Sequence, residues 1–398
     1  MSENKKLIPK RRFKEFQNAD AWEQLELVEV LDLLKDGTHG THRDVEQGIY
    51  LLSAKNIKNG EILIDVTDRI ISVEDYNAIH KSFQLENGDV LLTIVGSIGE
   101  TAILVNKGDY TFQRSVAYLR PNKYLTSQFL FTTIESVNFQ RELRNRQVIS
   151  AQPGIYLGDL SVIPVKIPQI DEQEKIGHFF QNLDQTLAFQ QRKLEKMKAM
   201  KSAYLSEMFP AEGERKPKRR FPGFTDDWEQ CELGNVADRF DNFRIPITAK
   251  DRTLGNTPYY GANGIQDYVE GFTHDGEFVL LAEDGANDLA NYPVQYVNGK
   301  IWVNNHAHVI AGKTDVLDNK FLMNTLKKIN IEPYLVGGGR AKLNSDVMMR
   351  LSLKITSIDE QIKIGEFFSN LDQTIAFQQQ KLEKLQNIKK AYLNEMFI

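Results

Sequence analysis

The sequence has little cysteine, no excess of positive charge and no apolar run at its start. A single cysteine, Cys231, excludes an internal disulfide framework and suits a reducing cytoplasm. The opening stretch, MSENKKLIPKRRFKEF, predicts neither a signal peptide nor a membrane span. A net charge of −5 counts against a simple nucleic-acid binder, although basic residues gathered on one face would still allow one. We therefore expect a cytoplasmic protein without a membrane partner.

Catalytic motifs are also lacking. Asn256–Tyr259 (NTPY) comes near the N/D-P-P-Y tetrapeptide of amino-methyltransferases, but Thr stands where the tight turn needs Pro, and no glycine-rich methyl-donor turn lies upstream. Val336–Lys342 (VGGGRAK) lacks the GxxxxGK[ST] spacing of a phosphate loop. His306 and His308 have no further ligands at a workable metal-binding spacing. We expect no catalytic residue, no metal and no cofactor bound by this chain.

One stretch occurs twice. Asp171–Phe209 and Asp359–Phe397 align without a gap, and 28 of their 39 positions are identical. After Gly177 and Gly365 neither copy contains Gly or Pro, and Ala, Leu, Lys, Gln and Glu dominate, which predicts two long helices. The connecting residues 210–220 (PAEGERKPKRR) are too few to run back along a helix of about 58 Å. An antiparallel helix pair is the simplest arrangement.

Each copy carries an apolar stripe in alternating steps of four and three residues, the spacing of a coiled coil. Two stripe positions are polar in both copies, Gln190 with Gln378 and Lys201 with Lys389, and would fix the register rather than add stability. On the pattern alone, a helical pair that merely holds a duplicated protein together is an equally good interpretation. The predicted helix-pairing and subunit-interface residues are Phe180, Leu183, Leu187 and Leu194 in the first copy and Phe368, Leu371, Ile375 and Leu382 in the second.

A second, weaker repeat precedes each helix. Arg11–Leu27 corresponds to Arg219–Leu233, with two residues fewer in the second copy. The duplicated unit is therefore an entry motif, a variable body and a long helix. We predict a flexible leader at 1–12, a first head at 13–168, a spacer helix at 169–209, a linker at 210–220, a second head at 221–357 and a second spacer helix at 358–398.

Both heads mix strands, turns and short helices, which predicts an α+β fold. In the first head, Thr126–Gln147 predicts one or two helices and Asp36–Asp44 predicts a loop. In the second head, Asn319–Lys328 predicts a helix. The sequences of the two heads have diverged almost completely, whereas the entry motifs and long helices on either side have not. This suggests two heads that are held in the same way but have different targets.

Polar side chains suited to reading bases are dense in the loops of both heads. Asn and Gln can bind adenine bidentately, and Arg can bind guanine. Each such residue alone is more often a turn former or a surface polar group, so it is their density that favours DNA recognition. The candidates are Thr38, His39, Thr41, His42, Arg43, Lys55, Asn56, Gln113, Arg114 and Gln152 in the first head, and Tyr260, Asn263, Asn287, Asn304, Asn305, His306, Arg340, Lys342 and Asn344 in the second.

The chain resembles the specificity (S) subunits of type I restriction-modification systems. The resemblance is carried by the duplicated helix, IDEQEKIGHFFQNLDQTLAFQQRKLEKMK and IDEQIKIGEFFSNLDQTIAFQQQKLEKLQ, and by the duplicated RRF…WEQ entry. Two further stretches, DGTHGTHRDVEQGIYLLSAKNIKNGEI and PYYGANGIQDYV…EFVLLAEDG, look like target-recognition signatures of that family. It implies two target-recognition domains joined by a long antiparallel two-helix coiled coil, with a pseudo-two-fold internal repeat. The match thins inside the heads, so no base-contacting residue is carried over from it.

In that family each head reads one half of an asymmetric, bipartite site in double-stranded DNA, and the helices set the gap and dock two modification subunits. Those subunits bind S-adenosylmethionine and methylate adenine, and two restriction subunits add an ATP-driven translocase and nuclease. The resemblance thus implies a non-catalytic subunit whose partners hold S-adenosylmethionine, ATP and Mg²⁺. The main alternative is a coiled-coil scaffold whose two heads bind proteins, and a third is a self-contained DNA-modifying enzyme.

Overall fold

The computed structural model describes residues 7–106, 108–148, 153–337 and 341–398. The chain forms two compact units: unit 1 comprises residues 1–190 with 381–398, and unit 2 comprises residues 191–380. Both units combine helices with sheets, so the mixed α+β class is confirmed. Among the described residues, no helix is both long enough and apolar enough to cross a membrane.

Unit 1 is built on a four-stranded sheet in the order β2-β10-β7-β8 and a three-stranded sheet in the order β6-β3-β9, with two further strand pairs, β1-β11 and β4-β5. The strands are β1 (Glu23–Glu26), β2 (Leu31–Asp36), β3 (Ile49–Leu52), β4 (Ile57–Lys58), β5 (Glu61–Ile62), β6 (Arg69–Ile71), β7 (Val90–Thr93), β8 (Thr101–Ile103), β9 (Tyr110–Phe112), β10 (Val116–Pro121) and β11 (Pro164–Ile167). The helices are α1 (Val73–Ile79), α2 (Ser127–Glu135), α3 (Val137–Asn145), α4 (Leu157–Ser161) and the first part of α5 (Ile170–Glu207). Helices α2 and α3 lie in the segment predicted to be helical.

Unit 2 is built on one six-stranded sheet in the order β13-β18-β16-β17-β14-β15, with a separate pair, β12-β19. The strands are β12 (Glu229–Glu232), β13 (Ala237–Arg239), β14 (Leu254–Gly261), β15 (Gly264–Val269), β16 (His274–Ala282), β17 (Val294–Val303), β18 (Ala307–Gly312) and β19 (Ser352–Ile355). The helices are α6 (Leu233–Val236), α7 (Asn319–Lys328), α8 (Ser345–Met349) and α9 (Ile358–Met396), whose last part belongs to unit 1. Helix α7 has the bounds that the sequence predicts.

The two long helices run antiparallel within each unit. In unit 1 the rings of Phe179 on α5 and Tyr392 on α9 lie 5.1 Å apart, and further along α5 the Asp184 carboxylate lies 2.6 Å from the Lys389 ammonium of α9. Residue numbers rise on one helix as they fall on the other. Unit 2 shows the same order, since Lys201 of α5 pairs with Asp372 of α9 while Tyr204 contacts Phe367.

The predicted apolar stripe is the buried face of both helices. Each residue of the stripe on α5 is buried to the same degree, fully or half, as the residue at the same place in the copy on α9. The polar pair Gln190 and Gln378 is also buried, with 8% and 4% of the surface exposed. Of the predicted pairing residues, Phe180, Leu194, Phe368 and Leu382 are buried, and Leu183, Leu187, Leu371 and Ile375 are half-buried.

The same aromatic frame holds each head against the helices. In unit 1 the ring of Trp22 lies 5.7 Å from that of Phe129 on α2, and in unit 2 Trp228 lies 5.5 Å from Phe321 on α7. Edge-to-face and tilted contacts of this kind add to the burial of large apolar area. The frame consists of Trp22, Phe129, Phe180 and Phe397 in unit 1 and of Trp228, Phe321, Phe368 and Phe209 in unit 2.

A buried ion pair accompanies each frame. The Arg12 guanidinium donates two hydrogen bonds of 2.6 Å to the Glu172 carboxylate, and the two side chains are only 5% and 1% exposed. Arg220 binds Glu360 in the same bidentate way, with two bonds of 2.7 Å. Each arginine belongs to an entry motif, and each glutamate belongs to the first turn of a long helix. The ion pair therefore connects the start of each head to the long helix that follows it.

This pairing corrects the prediction of a flexible leader at 1–12 for the part that the structure describes, residues 7–12. Residues 1–6 lie outside the described residues, but Leu7 accepts a hydrogen bond from the Trp22 amide, and the Arg11 amide donates to the carbonyl of Glu395. Arg12 is fixed by its bonds to Glu172. The run of basic residues suggested a solvated tail because the sequence alone does not reveal that a buried carboxylate needs one of them.

We predict that Arg12→Met lowers the free energy of unfolding by about 3–5 kcal/mol, because it leaves the buried Glu172 carboxylate without its counter-charge. Arg220→Met should cost a similar amount in unit 2. Urea unfolding followed by circular dichroism would measure both. The matched control is Arg11→Met, whose side chain is 53% exposed in its pair with Glu395 and should change stability far less. Equal effects of the Arg11 and Arg12 variants would contradict the structural role of the buried pair.

Candidate nucleic-acid interface

The two heads share a backbone scheme that their sequences do not reveal. In the first head β3 runs parallel to β9, and in the second β14 runs parallel to β17. The chain then turns into β10 or β18, each of which pairs antiparallel with two neighbouring strands. Two short turns therefore occupy the same place: residues 113–115 in the first head and 304–306 in the second, here called the central turns.

Matched backbone hydrogen bonds fix the central turns. The Gln113 amide donates to the Leu52 carbonyl over 2.9 Å, and the Asn304 amide donates to the Tyr260 carbonyl over 3.1 Å. On the other side, the carbonyls of Ser115 and His306 each accept a bond of 2.9 Å from the strand that pairs with β10 or β18. The middle residue of each turn, Arg114 or Asn305, is exposed.

A second pair of loops lies next to the central turns. Each begins with a glycine at positive φ, Gly96 at 82° and Gly285 at 68°, a conformation that favours glycine. Isolated bridges then join Val95 to Gly154 in the first head and Asp284 to Lys342 in the second. The predicted contacts Gln152 and Arg340 precede these bridged residues in the sequence and lie outside the described residues.

The predicted loop Asp36–Asp44 of the first head lies against its central turn. The Thr38 amide donates to the Phe112 carbonyl, and the Arg114 amide donates to the Thr38 carbonyl over 3.0 Å. The Thr38 hydroxyl and His42 Nε2 lie 2.8 Å apart, and His39 pairs with Asp36. The structure thus brings this loop and Arg114 together. The remaining predicted residues of the loop, Thr41 and Arg43, are exposed.

Two predicted base contacts are contradicted by burial. Asn56 is only 3% exposed, because its amide group accepts from the Ser53 amide and donates to the Leu63 carbonyl and the Asp68 carboxylate. Asn304 is 4% exposed, and its side-chain oxygen accepts from the His306 amide over 2.8 Å. Both asparagines stabilise a turn, which their sequence positions could not distinguish from a role in binding.

Other predicted residues are accessible but already have partners. The Lys55 ammonium lies 2.6 Å from the Asp68 carboxylate, although the side chain is 60% exposed. The Asn263 side chain donates to the Gly285 carbonyl and accepts from the Asn287 amide, so it holds the loop at positive φ in place. Tyr260 is half-buried, and burial raises the pKa of its phenol. Among the rest, Gln113 is half-buried, and Asn287 and Asn344 are exposed.

A compact charged cluster lies beneath the central turn of the second head. His308 Nδ1 lies 2.7 Å from the Asp241 carboxylate and its Nε2 lies 2.8 Å from the Leu343 carbonyl, so Nε2 must carry a proton to donate. The Glu283 carboxylate accepts from Arg244 over 2.6 Å and lies 2.8 Å from the ammonium of Lys342. Sequence analysis missed Asp241, Glu283 and Arg244, because they are far apart in the chain and match no motif.

The members of the cluster neutralise one another as ion pairs. One ligand atom each of Asp241, Glu283 and His308 lies within 4.8 Å of the others, a spacing that a metal ion could use. Arg244 and Lys342 already supply the counter-charge to the same carboxylates, however, and a cation would have to displace them. Lys342, predicted to contact DNA, is 47% exposed, and its ammonium is paired with Glu283.

The cluster holds the pKa values of Asp241 and Glu283 below their ordinary 3.8 and 4.5. Burial is the largest influence and raises the pKa of both carboxyl groups. For Asp241 the effect of burial is outweighed by the hydrogen bond and charge of His308, the hydrogen bond of the Val309 amide and the charge of Arg244. For Glu283 it is outweighed by the hydrogen bonds of Lys342 and Arg244 and by the charges of His308 and Arg244. Carboxyl groups with lowered pKa values stabilise the folded state above their ordinary pKa, and this contribution is lost as the pH falls through the folded pKa.

We predict that Asp241→Asn lowers the free energy of unfolding at pH 7 by about 1–3 kcal/mol, because it removes the carboxylate that binds His308 and the Val309 amide, although Glu283 still neutralises Arg244. The difference from the parent protein should shrink as the pH falls from the ordinary value of 3.8 through the lowered pKa of the folded state, where the folded parent also loses this charge. Urea unfolding at several pH values would measure it. The control Asp346→Asn alters a carboxylate that is 91% exposed and should have little effect at any pH. A loss that did not vary with pH would contradict the electrostatic explanation.

Comparison with known proteins gives consistent matches over both heads and both helices. The family model described as "Type I restriction modification DNA specificity domain" matches residues 19–199 and again residues 225–387. A Haemophilus influenzae protein, provisionally named a type I restriction enzyme specificity subunit, is 48% identical over 139 residues. That match covers 35% of this chain, which spans 36% of the relative's length.

Two further matches extend over the whole chain. A Methanocaldococcus jannaschii protein, provisionally named the type I restriction enzyme MjaX specificity subunit, is 21% identical to this chain. The match covers 94% of this chain and 92% of the relative's length. The crystal structure of a type I restriction-modification S subunit from M. genitalium superposes with a TM-score of 0.70 at 15% identity, over 98% of this chain and 99% of the other. The last match shows a shared fold.

Proposed function

The chain belongs to the type I restriction-modification DNA specificity family, and we propose that it is the DNA sequence-recognition subunit of such a complex. Each head would read one half of a bipartite, asymmetric site. The observation that carries this proposal is the duplicated family match, at residues 19–199 and 225–387, which takes in each head together with its long helix. No observation favours the alternative of a scaffold whose heads bind proteins.

In this proposal the two heads are target-recognition domains joined by an antiparallel two-helix coiled coil. The antiparallel contacts of α5 and α9 inside each unit support it, as do the matched buried stripes of the two helices. Helices held in a fixed register would set the gap between the two half-sites. Two separated half-sites multiply modest specificities, since each mismatched base pair costs roughly 1–3 kcal/mol.

Two modification subunits would dock on the helices. Phe189 on α5 and Phe377 on α9 occupy the same position of the two copies, and they are 59% and 68% exposed. A single exposed apolar side chain is common, but an exposed aromatic ring at the same position of both helix copies supports a docking role. Since the residue is duplicated, the partner is expected twice, once for each copy of the helix.

The chemistry would reside in the partners. We propose that the modification subunits hold S-adenosylmethionine and that two restriction subunits hold ATP and Mg²⁺, so that this chain is a non-catalytic subunit of the enzyme. With a net charge of −5, it would obtain part of its affinity for DNA phosphates from those subunits. The single cysteine and the DNA target suit the cytoplasm.

The test is a methylome by single-molecule sequencing, comparing cells that carry a cognate modification subunit alone with cells that also express this chain. We predict a new adenine-methylated motif of two short halves around a fixed gap. Inserting one heptad after Arg192 and after Gln380, the same position of the two helix copies, should widen that gap by about three base pairs, because seven helical residues add about 10.5 Å.

Exchanging residues 13–168 for the corresponding head of a relative is the companion experiment, and only one half of the motif should change. If the assembled complex produced no new motif, the proposed function would be wrong. An unchanged gap in the heptad variant, with methylation retained, would refute the role of the helices as a spacer and leave the recognition function intact.

We predict that Phe189→Ala and Phe377→Ala each weaken binding of the modification subunit by about ten- to a hundredfold, because a buried Phe ring contributes roughly 1.5–3 kcal/mol. Titration calorimetry with the purified partner would measure it, and the double variant should lose both bound copies. The control is Phe272→Ala on the second head, whose side chain is 47% exposed. Unaltered affinity in the double variant would place the docking surface elsewhere.

A further inference from the structure

Among the predicted contacts that the structure describes, the middle residues of the two central turns share a combination of features that no other pair has. Arg114 and Asn305 stand at equivalent places, each two residues before the start of β10 or β18, and both are exposed. We infer that they are the specificity-determining side chains of the two heads: Arg114 reads a guanine in one half-site, and Asn305 reads an adenine in the other. The inference rests on the proposed function and narrows it to one residue in each head.

The backbone holds these two residues in a fixed position. The residue before each of them donates its amide to a strand of the parallel pair, over 2.9 Å for Gln113 and 3.1 Å for Asn304. The residue after each, Ser115 or His306, accepts through its carbonyl a bond of 2.9 Å from the neighbouring strand. The backbone that carries each side chain is therefore pre-organised, so little backbone conformational entropy is lost on binding.

The neighbours of the two residues are occupied with holding the turn. The Ser115 hydroxyl accepts from the Ala54 amide over 3.0 Å, and His306 Nδ1 lies 2.6 Å from the Asp284 carboxylate. Asn304 is buried and bonded within its own turn. In contrast, the side chains of Arg114 and Asn305 make no hydrogen bond or ion pair with any other residue that the structure describes. They are the members of each turn that are free to bind a ligand.

The other predicted contacts lack this combination. Thr38 and His42 bond to each other, and Lys342 is paired with Glu283. Asn263 fastens the adjacent loop through Gly285. Exposure alone therefore does not select a reading residue, whereas exposure, freedom from internal bonds and an equivalent in the other head select only this pair among the described candidates.

The chemistry of the two side chains assigns their targets. A guanidinium presents parallel N–H donors that match O6 and N7 of guanine in the major groove. An asparagine amide presents one donor and one acceptor, which match N7 and N6 of adenine. Neither group can make the same two bonds with the opposite type of base pair. The different residues at equivalent positions thus predict that the two half-sites differ at equivalent places.

The experiment uses the full chain in its complex with the modification subunit, and its readout is the methylated motif. We predict that Arg114→Ala relaxes one G·C pair in one half-site and that Asn305→Ala relaxes one A·T pair in the other half. A good bidentate contact discriminates by about ten- to a hundredfold, so methylation at sites altered only at that pair should rise by this factor relative to the parent motif. Arg144→Ala on α3 and Asn235→Ala on α6, which are exposed and are not among the predicted contacts, are the matched controls and should leave the motif unchanged.

The outcomes separate this inference from the proposed function. If the parent complex gives no bipartite motif, the function itself fails. If the parent gives one and both variants assemble and keep it unchanged, the assignment of these residues is wrong. Uniformly weaker methylation with an unaltered motif would mean that Arg114 contacts a phosphate, which also overturns the assignment. Thermal melting of each variant checks that the turns are still folded.

Discussion

Everything in this fold depends on a carboxylate that is buried at the start of each long helix. Glu172 and Glu360 are both 1% exposed or less, and a buried carboxylate without a counter-charge would cost several kcal/mol. The arginine that compensates it comes from the entry motif of the head, Arg12 or Arg220. The next residue in each helix, Gln173 or Gln361, accepts the amide of the residue that caps α2 or α7. Two adjacent helix residues therefore orient a whole head.

The parts of the fold that could be predicted from the sequence are those governed by local pattern. The long helices follow from a repeated apolar stripe without Pro, and α7 follows from its capping residue Asp318 and the apolar run after it. The common scheme of the heads could not be found in this way. It is defined by hydrogen bonds between distant residues, such as Gln113 with Leu52, and backbone bonds place little demand on side-chain identity. For the same reason the sequence identified Arg114 and Asn305 as candidates but could not separate them from the buried Asn56.

The heads differ most in the kind of side chain, apolar or charged, that stands at equivalent interior positions. Strand pairing matches Ala117 of the first head to His308 of the second, and Ile94 to Glu283. The first head therefore has apolar side chains where the second has a network of charges. Such a network is tolerated in the interior only if each of its members is paired, and the paired set of Asp241, Glu283, His308, Arg244 and Lys342 meets this condition. The backbone hydrogen bonds can stay the same while the interior changes completely, which is how two unlike heads retain one fold.

The parts of α5 and α9 that pack against each head are alike in the two units, but this likeness does not make the heads interchangeable. In unit 1 the ammonium of Lys389 lies between the carboxylates of Asp184 and of Glu135, the last residue of α2. In unit 2 the corresponding pair, Lys201 with Asp372, faces α7, whose equivalent position is Lys327. Desolvation and then the charge of Lys201 lower the pKa of Lys327, so this lysine is held near a like charge. A head that carried lysine at this position on the helices of unit 1 would place it beside Lys389 and remove Glu135, one of the two carboxylates that Lys389 binds. One residue, Glu135 on α2 or Lys327 on α7, thus gives each head a preference for its own end of the long helices. The aromatic frames of the two units are otherwise the same.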